Sequence, residues 1–392
     1  MYDSMRVLIL APHPYYQERG TPIAVDLLIR ALAERGDEVD LLTFHEGIDR
    51  AHKRLRIYRI KPLPIVSNLR PGFSLKKIYC DIFLFFRFIG LTSKNRYDIV
   101  HAVEESAFMA MLVCPLMSTP FVYDIDSSMT TQLVDRLPLL KPLKGLLRFM
   151  ESLPMRYAEA VVPMCDVLAE EAARYRDRNI VVLKDVSLID QNAAASEAPN
   201  LREELDLQGK ILMYIGNLET YQGIDLLLES FAIARESNRN AQLVIIGGAD
   251  KDIVHYRDFT RRQGIDESVH LLGPRPVSLI GQYMVQADIL VSPRTQGMNT
   301  PMKVYSYLDS GVVVLATRMA THTQVMNDNI AMLAEPDPHQ FADAMLNLLA
   351  DDELCNKLAI AARAIMRREH SYDGFKKRVH DLYAVLEVST NQ

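Results

Sequence analysis

Short apolar runs alternate with amphipathic stretches along most of the chain, and each run is short enough to be a buried strand. The amphipathic stretches carry apolar residues at helical spacing, as between Ile23 and Arg35, where Gly36 would end the helix. Repeated strand–helix–strand units predict parallel sheets whose ligand sites lie at the carboxyl ends of the strands. The predicted strands span residues 6–11, 38–44, 98–102, 121–126, 160–163, 180–183, 210–216, 242–248, 269–273, 287–291 and 312–317.

A small, polar stretch divides these units into two halves. Residues 190–199 read DQNAAASEAP, which is typical of a linker, and a chain of 392 residues is too long for one hydrophobic core. We therefore expect an α/β protein with two Rossmann-like domains, over residues 1–190 and 200–371. The tail is predicted to form helices over residues 340–349, 353–370 and 372–387.

The segment from Ser292 to Gly311, SPRTQGMNTPMKVYSYLDSG, has the pattern of a strand end, a loop and a helix. Pro293 would end the strand, and residues 297–301 contain the glycine, asparagine and proline of a loop. The helix is predicted from Met302 to Leu308, with Asn299-Thr300 at its N-cap.

Two cations, Arg294 and Lys303, bracket the predicted start of this helix. A helix N-terminus carries free backbone N–H groups and partial positive charge, and so binds anions. A cationic strand-to-helix corner in an α/β sheet therefore predicts a site for a phosphorylated ligand. The alternative is an ordinary strand-to-helix connection with two surface cations.

Acidic residues and a histidine lie near the ends of two predicted strands in the first half. His101 is in one of these strands, Glu104 and Glu105 follow it, and Asp126 ends the next strand. Because the carboxyl ends of parallel strands meet at one edge of a sheet, these side chains predict a shared catalytic site. Taken singly, each is equally consistent with a structural cap at a strand end.

Composition excludes several classes of protein. A net charge of −6 and a pI near 6.0 argue against a general nucleic-acid binder. The four cysteines form no CxxC pair, which suits reduced thiols in the cytoplasm and gives no zinc pattern.

The first loop carries Gly20 and Thr21, where a backbone can approach a phosphate. It lacks GxGxxG, which disfavours a nicotinamide or flavin dinucleotide. We expect no signal peptide and no membrane-spanning segment.

Basic residues are concentrated in the first half of this acidic chain. Residues 53–96 contain eleven Lys and Arg with a single acidic residue, Asp81, and many aromatic and aliphatic residues between them. A second basic and apolar run covers residues 137–156. Basic amphipathic helices of this composition can lie on an anionic membrane surface. The alternative is that the apolar faces pack into the core and the cations form a solvated rim.

The order and spacing of these segments resemble the GT-B glycosyltransferases, specifically the large retaining family 4. The resemblance covers nearly the whole chain and rests on APHPYYQERGTPIAVDLLIRALAERGDEVDLLT, YDIVHA, FVYDIDSS, MYIGNLETYQGIDLLLESF, ADILVSPR and TPMKVYSYLDSG followed by VVVLAT. It implies two domains facing a cleft, with residues 372–392 crossing back to the N-terminal domain. That domain would bind the acceptor, and the C-terminal domain a UDP- or GDP-linked sugar, with no metal and no other cofactor.

The resemblance and the cationic corner together predict the residues of the site. The predicted catalytic residues are Glu104, Asp126 and His101, with Glu104 or Asp126 orienting the acceptor hydroxyl. Lys303 and Arg294 would hold the diphosphate as the sugar gains oxocarbenium character. The predicted donor site comprises Gly20, Thr21, Gly216, Asn217, Gln222, Gly248, Arg294, Asn299, Thr300, Pro301, Met302, Lys303, and Tyr305 and Ser306, which would flank the ribose.

The chain departs from the family at several charged positions. The two glutamates of the family motif, eight residues apart, fall on Met298 and Ser306, and the common Arg and Lys after the first C-terminal strand fall on Asn217 and Gln222. The family's histidine falls on Val103. Either this is a divergent active branch, or it is a non-catalytic GT-B scaffold or partner subunit of a glycan assembly system. A sugar-nucleotide epimerase of the same fold is a third interpretation.

Of these, we predict a retaining glycosyltransferase of polysaccharide or glycolipid biosynthesis. Its partners would be a nucleotide-sugar donor and a glycan or lipid-linked acceptor, and it would bind no nucleic acid. It would be cytoplasmic and peripheral on the inner face of the membrane.

Overall fold

Two units make up the chain, of which the computed structural model describes residues 4–17, 20–64, 66–67, 69, 74–189, 198–297 and 300–390. The first unit contains residues 1–185 together with 373–392, and the second contains residues 186–372. Each unit is built on a six-stranded parallel sheet, as the alternating pattern predicted. Most of the predicted linker lies outside the described residues. The assignment of acceptor and donor binding to the two domains stays a prediction.

The first sheet is parallel throughout and its central strands are almost wholly buried, as expected where helices cover both faces. Its strands are β1 (Arg6–Ala11), β2 (Glu38–Thr43), β3 (Leu55–Arg59), β4 (Ile99–Val103), β5 (Phe121–Ile125) and β6 (Ala160–Pro163). They lie in the order β3-β2-β1-β4-β5-β6. The strand order reverses between β1 and β4, so the topological switch point lies at the carboxyl ends of these two strands.

Helices cover this sheet and share its hydrophobic core. They are α1 (Gly20–Arg35), α2 (Leu75–Thr92), α3 (Ser106–Val113), α4 (Met129–Arg136), α5 (Lys144–Tyr157) and α6 (Asp166–Ala173). Helix α2 begins after Ser74, whose hydroxyl oxygen accepts a hydrogen bond from the Lys77 amide and so caps the helix. Leu84 and Phe88 of α2 and Ala110 of α3 pack into the core on the sheet.

The second sheet repeats the topology of the first. Its strands are β7 (Ile211–Ile215), β8 (Gln242–Ile246), β9 (Val269–Gly273), β10 (Ile289–Ser292), β11 (Val313–Thr317) and β12 (Met332–Ala334). Their order is β12-β11-β10-β7-β8-β9, and every pairing is parallel. The switch point of this sheet therefore lies at the carboxyl ends of β7 and β10.

Eight helices accompany the second sheet within the described residues. They are α7 (Leu201–Glu204), α8 (Ile224–Ser237), α9 (Asp250–Gln263), α10 (Val277–Met284), α11 (Lys303–Asp309), α12 (Ala320–Thr323), α13 (Pro338–Ala350) and α14 (Asp352–Glu369). Helix α8 packs against α13, and the fully buried rings of Phe231 and Phe341 belong to the core that they share with the sheet.

From Asp373 onward, the final helix, α15 (Tyr372–Thr390), belongs to the first unit, as the predicted fold required. The hydroxyl oxygen of Tyr383 lies 2.8 Å from Nδ1 of His101 in β4. Nε2 of His101 lies 3.2 Å from a carboxylate oxygen of Asp124 in β5. A buried polar chain thus joins the last helix to two central strands.

The run of basic residues near the start of the first unit contains a strand that the sequence analysis did not predict. Residues 55–59 (LRIYR) form the edge strand β3, although this stretch belongs to a region whose composition suggested amphipathic helices. Four of its five residues are half-buried and Arg56 is exposed, which fits a strand at the edge of the sheet. Residues 180–183, predicted as a strand, form a single isolated bridge between Ile180 and Val161.

The apolar stretch over residues 107–116 is not one continuous α-helix. Helix α3 ends at Val113 and a 3-10 turn, Cys114–Met117, follows it. Pro115 has no backbone N–H to donate to the carbonyl oxygen four residues earlier, so the α-helical hydrogen-bond pattern cannot continue.

We expect Tyr383→Phe to destabilise the first unit, because it leaves Nδ1 of His101 buried without its partner. The free energy of unfolding should fall by about 1–3 kcal/mol. Urea unfolding followed by circular dichroism measures the change. Tyr157→Phe is the control, since Tyr157 is 69% exposed and its hydroxyl should matter by less than about 0.5 kcal/mol. Equal midpoints for the two variants would contradict the role assigned to this network.

Candidate active site

The cationic corner predicted from the sequence lies at the switch point of the second sheet. Strand β10 runs into Pro293 and Arg294, and α11 begins at Lys303. On the β7 side, the turn Thr220–Gln222 ends at Gly223, which has a left-handed backbone with φ of 74°. A Cβ atom at Gly223 would lie 2.0 Å from the carbonyl oxygen of Pro293, so only glycine allows the two loops to approach this closely.

The ammonium group of Lys303 lies beside these loops. Its Nζ is 3.8 Å from the centroid of the Tyr214 ring, a cation–π distance, and 3.4 Å from Oε1 of Gln222. A Cβ atom at Gly216 would lie 3.0 Å from Nζ, so the turn after β7 passes directly over the ammonium group. Within the described residues, no carboxylate pairs with Lys303. The cation therefore has an aromatic face and an amide oxygen as neighbours but no anion.

Arg294 brings a second cation to the same corner. Its guanidinium carbon lies 5.2 Å from the centroid of the Tyr221 ring, and its Nε donates to the carbonyl oxygen of Gln296 at 2.7 Å. Burial, and then repulsion by Arg294, lowers the pKa of Lys303 well below its ordinary value. Burial also lowers the pKa of Arg294. A bound anion would relieve both effects, so this corner is a candidate phosphate site.

His322 contacts the residues that end β10 and β11 at this corner, and the sequence did not indicate a role for it. Its Nε2 lies 2.9 Å from Oγ of Ser292, and its Nδ1 lies 2.9 Å from the carbonyl oxygen of Thr317. Oγ1 of Thr317 in turn donates to the carbonyl oxygen of Arg294 at 2.5 Å. Burial lowers the pKa of His322 to about 4, so the ring is neutral at physiological pH. No local motif marks this residue, because its partner Ser292 is thirty positions away.

Other predicted donor residues surround this corner at strand ends. Asn217 follows β7, and its carbonyl oxygen accepts a hydrogen bond from the Tyr214 hydroxyl at 2.6 Å. Gly248 follows the neighbouring strand β8. Both therefore lie at the carboxyl edge of the second sheet, as expected. Their contact with a donor stays a prediction.

The N-cap predicted at Asn299 and Thr300 is wrong as far as the structure describes it. Helix α11 begins at Lys303, after Met302, and no side chain caps it. Thr300 is buried ahead of the helix, and Asn299 lies outside the described residues, as does Met298, one of the two expected glutamate positions. Because α11 has seven residues, the positive charge of the corner comes mainly from its two cationic side chains. The donor contacts assigned to Met302 and Pro301 stay predictions.

Tyr305 and Ser306 do not line an open ribose site. The ring of Tyr305 packs 4.8 Å from the ring of His370, and Oγ of Ser306 accepts a hydrogen bond from the Leu188 amide at 3.1 Å. Both residues are buried. Their predicted place beside the ribose is therefore not supported, because the side chains already have packing and hydrogen-bond partners inside the second unit.

The predicted acidic residues of the first unit do come together. Glu104 and Asp126 follow β4 and β5, and Glu104 accepts a hydrogen bond from the Ser127 hydroxyl at 2.9 Å. Asp126 is hydrogen-bonded to Thr21 in the first turn of α1, and burial, then repulsion by Asp124, raises the pKa of Asp126 to about 8. Burial, and then repulsion by Asp126, raises the pKa of Glu104 as well.

These carboxyl groups keep protons at a pH where ordinary carboxyl groups are ionised, so they can donate as well as accept hydrogen bonds. That property suits contacts to sugar hydroxyl groups. Within the described residues, no set of three or more His, Cys, Asp or Glu side chains is arranged to hold a metal ion. Gly20 is the first residue of α1, beside Thr21, and the predicted donor contacts of both stay predictions.

His101 differs from the other two predicted catalytic residues. It is fully buried in β4, and both ring nitrogens lie within hydrogen-bond distance of Tyr383 and Asp124. This arrangement favours a structural role over the predicted catalytic one, because neither nitrogen is available to a substrate.

Solved structures of several glycosyltransferases resemble this fold. Sucrose-phosphate synthase from Thermosynechococcus elongatus has a TM-score of 0.75 at 17% identity, over 98% of this chain and 100% of that one. HepE from Anabaena, solved in complex with UDP, has a TM-score of 0.74 at 14% identity, over 97% and 100%. The same protein with UDP-glucose has a TM-score of 0.70 at 14% identity, with the same coverage. The two sheets thus form the GT-B fold of the glycosyltransferases.

Sequence comparison specifies the family. D-inositol 3-phosphate glycosyltransferase of Corynebacterium diphtheriae is 22% identical over 366 residues, which cover 88% of this chain and 84% of the relative. The family model "Glycosyltransferase Family 4" matches residues 19–184, and "Glycosyl transferases group 1" matches residues 209–351. The chain therefore belongs to family 4 of the GT-B glycosyltransferases, as its motifs indicated, and is a transferase.

We expect Asp126→Asn to stabilise the first unit above pH 8. A carboxyl group whose pKa rises from 3.8 to about 8 on folding binds more protons when folded, so the wild type loses stability as the pH rises through this interval. An amide does not titrate, so the variant should gain about 1–3 kcal/mol over the wild type at the alkaline end. Below about pH 4 this advantage should disappear.

Urea unfolding across this pH range tests the expectation. Asp177→Asn is a matched control, because Asp177 is an exposed carboxylate of the same unit. If Asp126→Asn and the wild type show parallel pH profiles, the buried carboxyl group does not titrate as proposed.

Proposed function

We propose that this protein transfers a sugar from a UDP- or GDP-linked donor to a glycan or lipid-linked acceptor, with retention of anomeric configuration. Polysaccharide or glycolipid biosynthesis at the cytoplasmic face of a membrane is the proposed setting, and the reaction needs neither a metal nor another cofactor. The observation that carries the proposal is the buried Lys303 side chain, which lies beside Arg294 and has no carboxylate partner within the described residues. The UDP and UDP-glucose complexes of HepE, a protein of the same fold, support a donor of this class.

A departing nucleoside diphosphate explains why two cations belong at this corner. The leaving group gains negative charge as the bond to the sugar breaks, and charge stabilisation that grows in the transition state accelerates the reaction. Lys303 and Arg294 would supply that stabilisation without a divalent metal. A partly desolvated ammonium group interacts more strongly with phosphate than an exposed one does.

The exchange of family residues is consistent with an active branch. Gln222 stands where the family commonly has lysine, yet its Oε1 lies 3.4 Å from Nζ of Lys303. Lys303 of α11 would thus supply a cation in place of the one that the loop after β7 lacks. This favours the transferase over the non-catalytic scaffold that the missing glutamates suggested.

Glu104 and Asp126 would meet the acceptor. They lie at the carboxyl ends of β4 and β5, where the switch-point rule places ligands of the first unit. With raised pKa values they would share protons near neutral pH, one carboxyl group donating to an acceptor hydroxyl while the other accepts from it.

We expect Lys303→Met to weaken UDP or GDP binding by about tenfold to a hundredfold, the usual worth of a hydrogen bond to a charged group. Because its pKa is lowered in the free protein, Lys303 should take up a proton when the diphosphate binds. Calorimetry in buffers of different ionisation enthalpy measures both quantities. Lys357→Met, at an exposed lysine of the same unit, is the control. Unchanged affinity in Lys303→Met would remove this residue from the site.

Transfer itself is tested with a panel of labelled UDP- and GDP-sugars and a membrane extract as acceptor source. We expect labelled product with at least one donor, and proton NMR of the new linkage should show the anomeric configuration of that donor. An inverted product would refute retention. Donor binding without transfer or hydrolysis would favour the scaffold, and product formed without any acceptor would favour the epimerase.

A further inference from the structure

Helix α2 has apolar side chains on its outer face as well as its inner one. Leu84 and Phe88 pack into the core, whereas Leu75 is 80% exposed and Phe86 is 66% exposed. Tyr79, Ile82 and Phe83 are also exposed along the outer face. A helix that is apolar all round is normally buried on all sides, so the outer face of α2 calls for an apolar partner.

The segment before and into α5 has the same character. Residues 137–150 (LPLLKPLKGLLRFM) form a 3-10 turn, Pro138–Leu143, and the first half of α5. Almost the whole segment is exposed, and Leu139 is 92% exposed. Its other exposed large apolar residues are Leu137, Leu143, Leu146, Phe149 and Met150.

Helix α3 joins these two regions. It packs against both α2 and α5, and the 3-10 turn that follows it exposes Leu116 and Met117. The exposed side chains of α2, of residues 112–117 and of residues 137–150 therefore lie along one side of the first unit. We call them the apolar–basic surface.

On these elements the acidic side chains are buried or partly buried, whereas most of the basic side chains are exposed. The acidic residues of α2, α3, α5 and the two turns are Asp81 and Glu151. Glu151 is buried and accepts a hydrogen bond from the Met129 amide at 2.7 Å, and Asp81 is partly buried. Apart from Lys77, which is mostly buried and pairs with Glu105, the cations point outward. The exposed ones are Lys76, Arg87, Lys141, Lys144, Arg148 and Arg156.

We propose that the apolar–basic surface docks on an anionic lipid bilayer. Apolar side chains would enter the boundary between headgroups and acyl chains while the cations contact anionic headgroups. A second copy of this chain is a poorer occupant, because two such surfaces face to face would oppose cation to cation. Within the described residues, no helix combines the length and apolarity needed to cross a membrane. The inference deepens the proposed membrane setting and rests on it, but does not depend on the donor site.

Vesicle sedimentation without any donor tests the inference on the full chain. We expect binding to phosphatidylcholine vesicles that contain phosphatidylglycerol, weaker binding to phosphatidylcholine alone, and loss at high salt. Replacing Leu139 and Leu143 together with glutamate should weaken binding about tenfold or more. The double variant Lys141→Gln, Lys144→Gln should weaken binding to the anionic vesicles by about tenfold. Its binding to phosphatidylcholine vesicles should be unchanged.

The matched control replaces Val254 and Ile360, two exposed apolar residues of the second unit, with glutamate. It should bind vesicles like the wild type, and circular dichroism should show that all variants are folded. Three results would overturn the proposal. One is that the wild type fails to bind vesicles, and another is that the control loses as much vesicle binding as the Leu139 and Leu143 variant. The third is a dimer in solution that the Leu139 and Leu143 changes abolish. Nucleotide binding measured on the same variants keeps this outcome separate from that of the proposed function.

Discussion

An ammonium group without a carboxylate partner determines what the second unit can bind. Removing a cation from water is costly unless an opposite charge or a strong hydrogen-bond acceptor compensates it. The Tyr214 ring and the Gln222 amide compensate Lys303 in part, and Arg294 adds a second positive charge nearby. The close approach of the loops after β7 and β10, which Gly223 permits, holds these groups together. An anion of two or more charges completes such an arrangement.

The two units share one topology but carry opposite chemistry at equivalent places. In each, the strand order reverses beside a central strand, which leaves a crevice at the carboxyl edge. The first unit has protonated carboxyl groups there, Glu104 and Asp126, and the second has Lys303 and Arg294. The fold thus supplies position, and the proposed affinities, for hydroxyl groups in one unit and for phosphate in the other, rest on the loop residues.

The sequence predicted the sheets well because buried parallel strands are continuous apolar runs, and most helices have clear periodicity. The sequence was less informative about the edge of the sheet and about the partner that each side chain contacts. The edge strand β3 was not predicted because basic residues interrupt its apolar residues. The hydroxyl of Ser306, predicted beside the ribose, instead accepts a hydrogen bond from a backbone amide more than a hundred positions away. His322 and Tyr214 belong to the site through contacts that no local motif encodes. Local pattern specifies the elements, whereas the partners of a side chain depend on how the elements assemble.

The place of α15 has a consequence for synthesis on the ribosome. Residues 186–372 form a unit that is continuous in the chain, but the first unit includes a helix that is made after the second unit. The partner of His101, Tyr383, therefore leaves the exit tunnel only after the whole second unit has been translated. Nascent domains ordinarily fold in order from the N-terminus. Here the first unit stays incomplete until α15 has been translated, whereas the second unit can already fold.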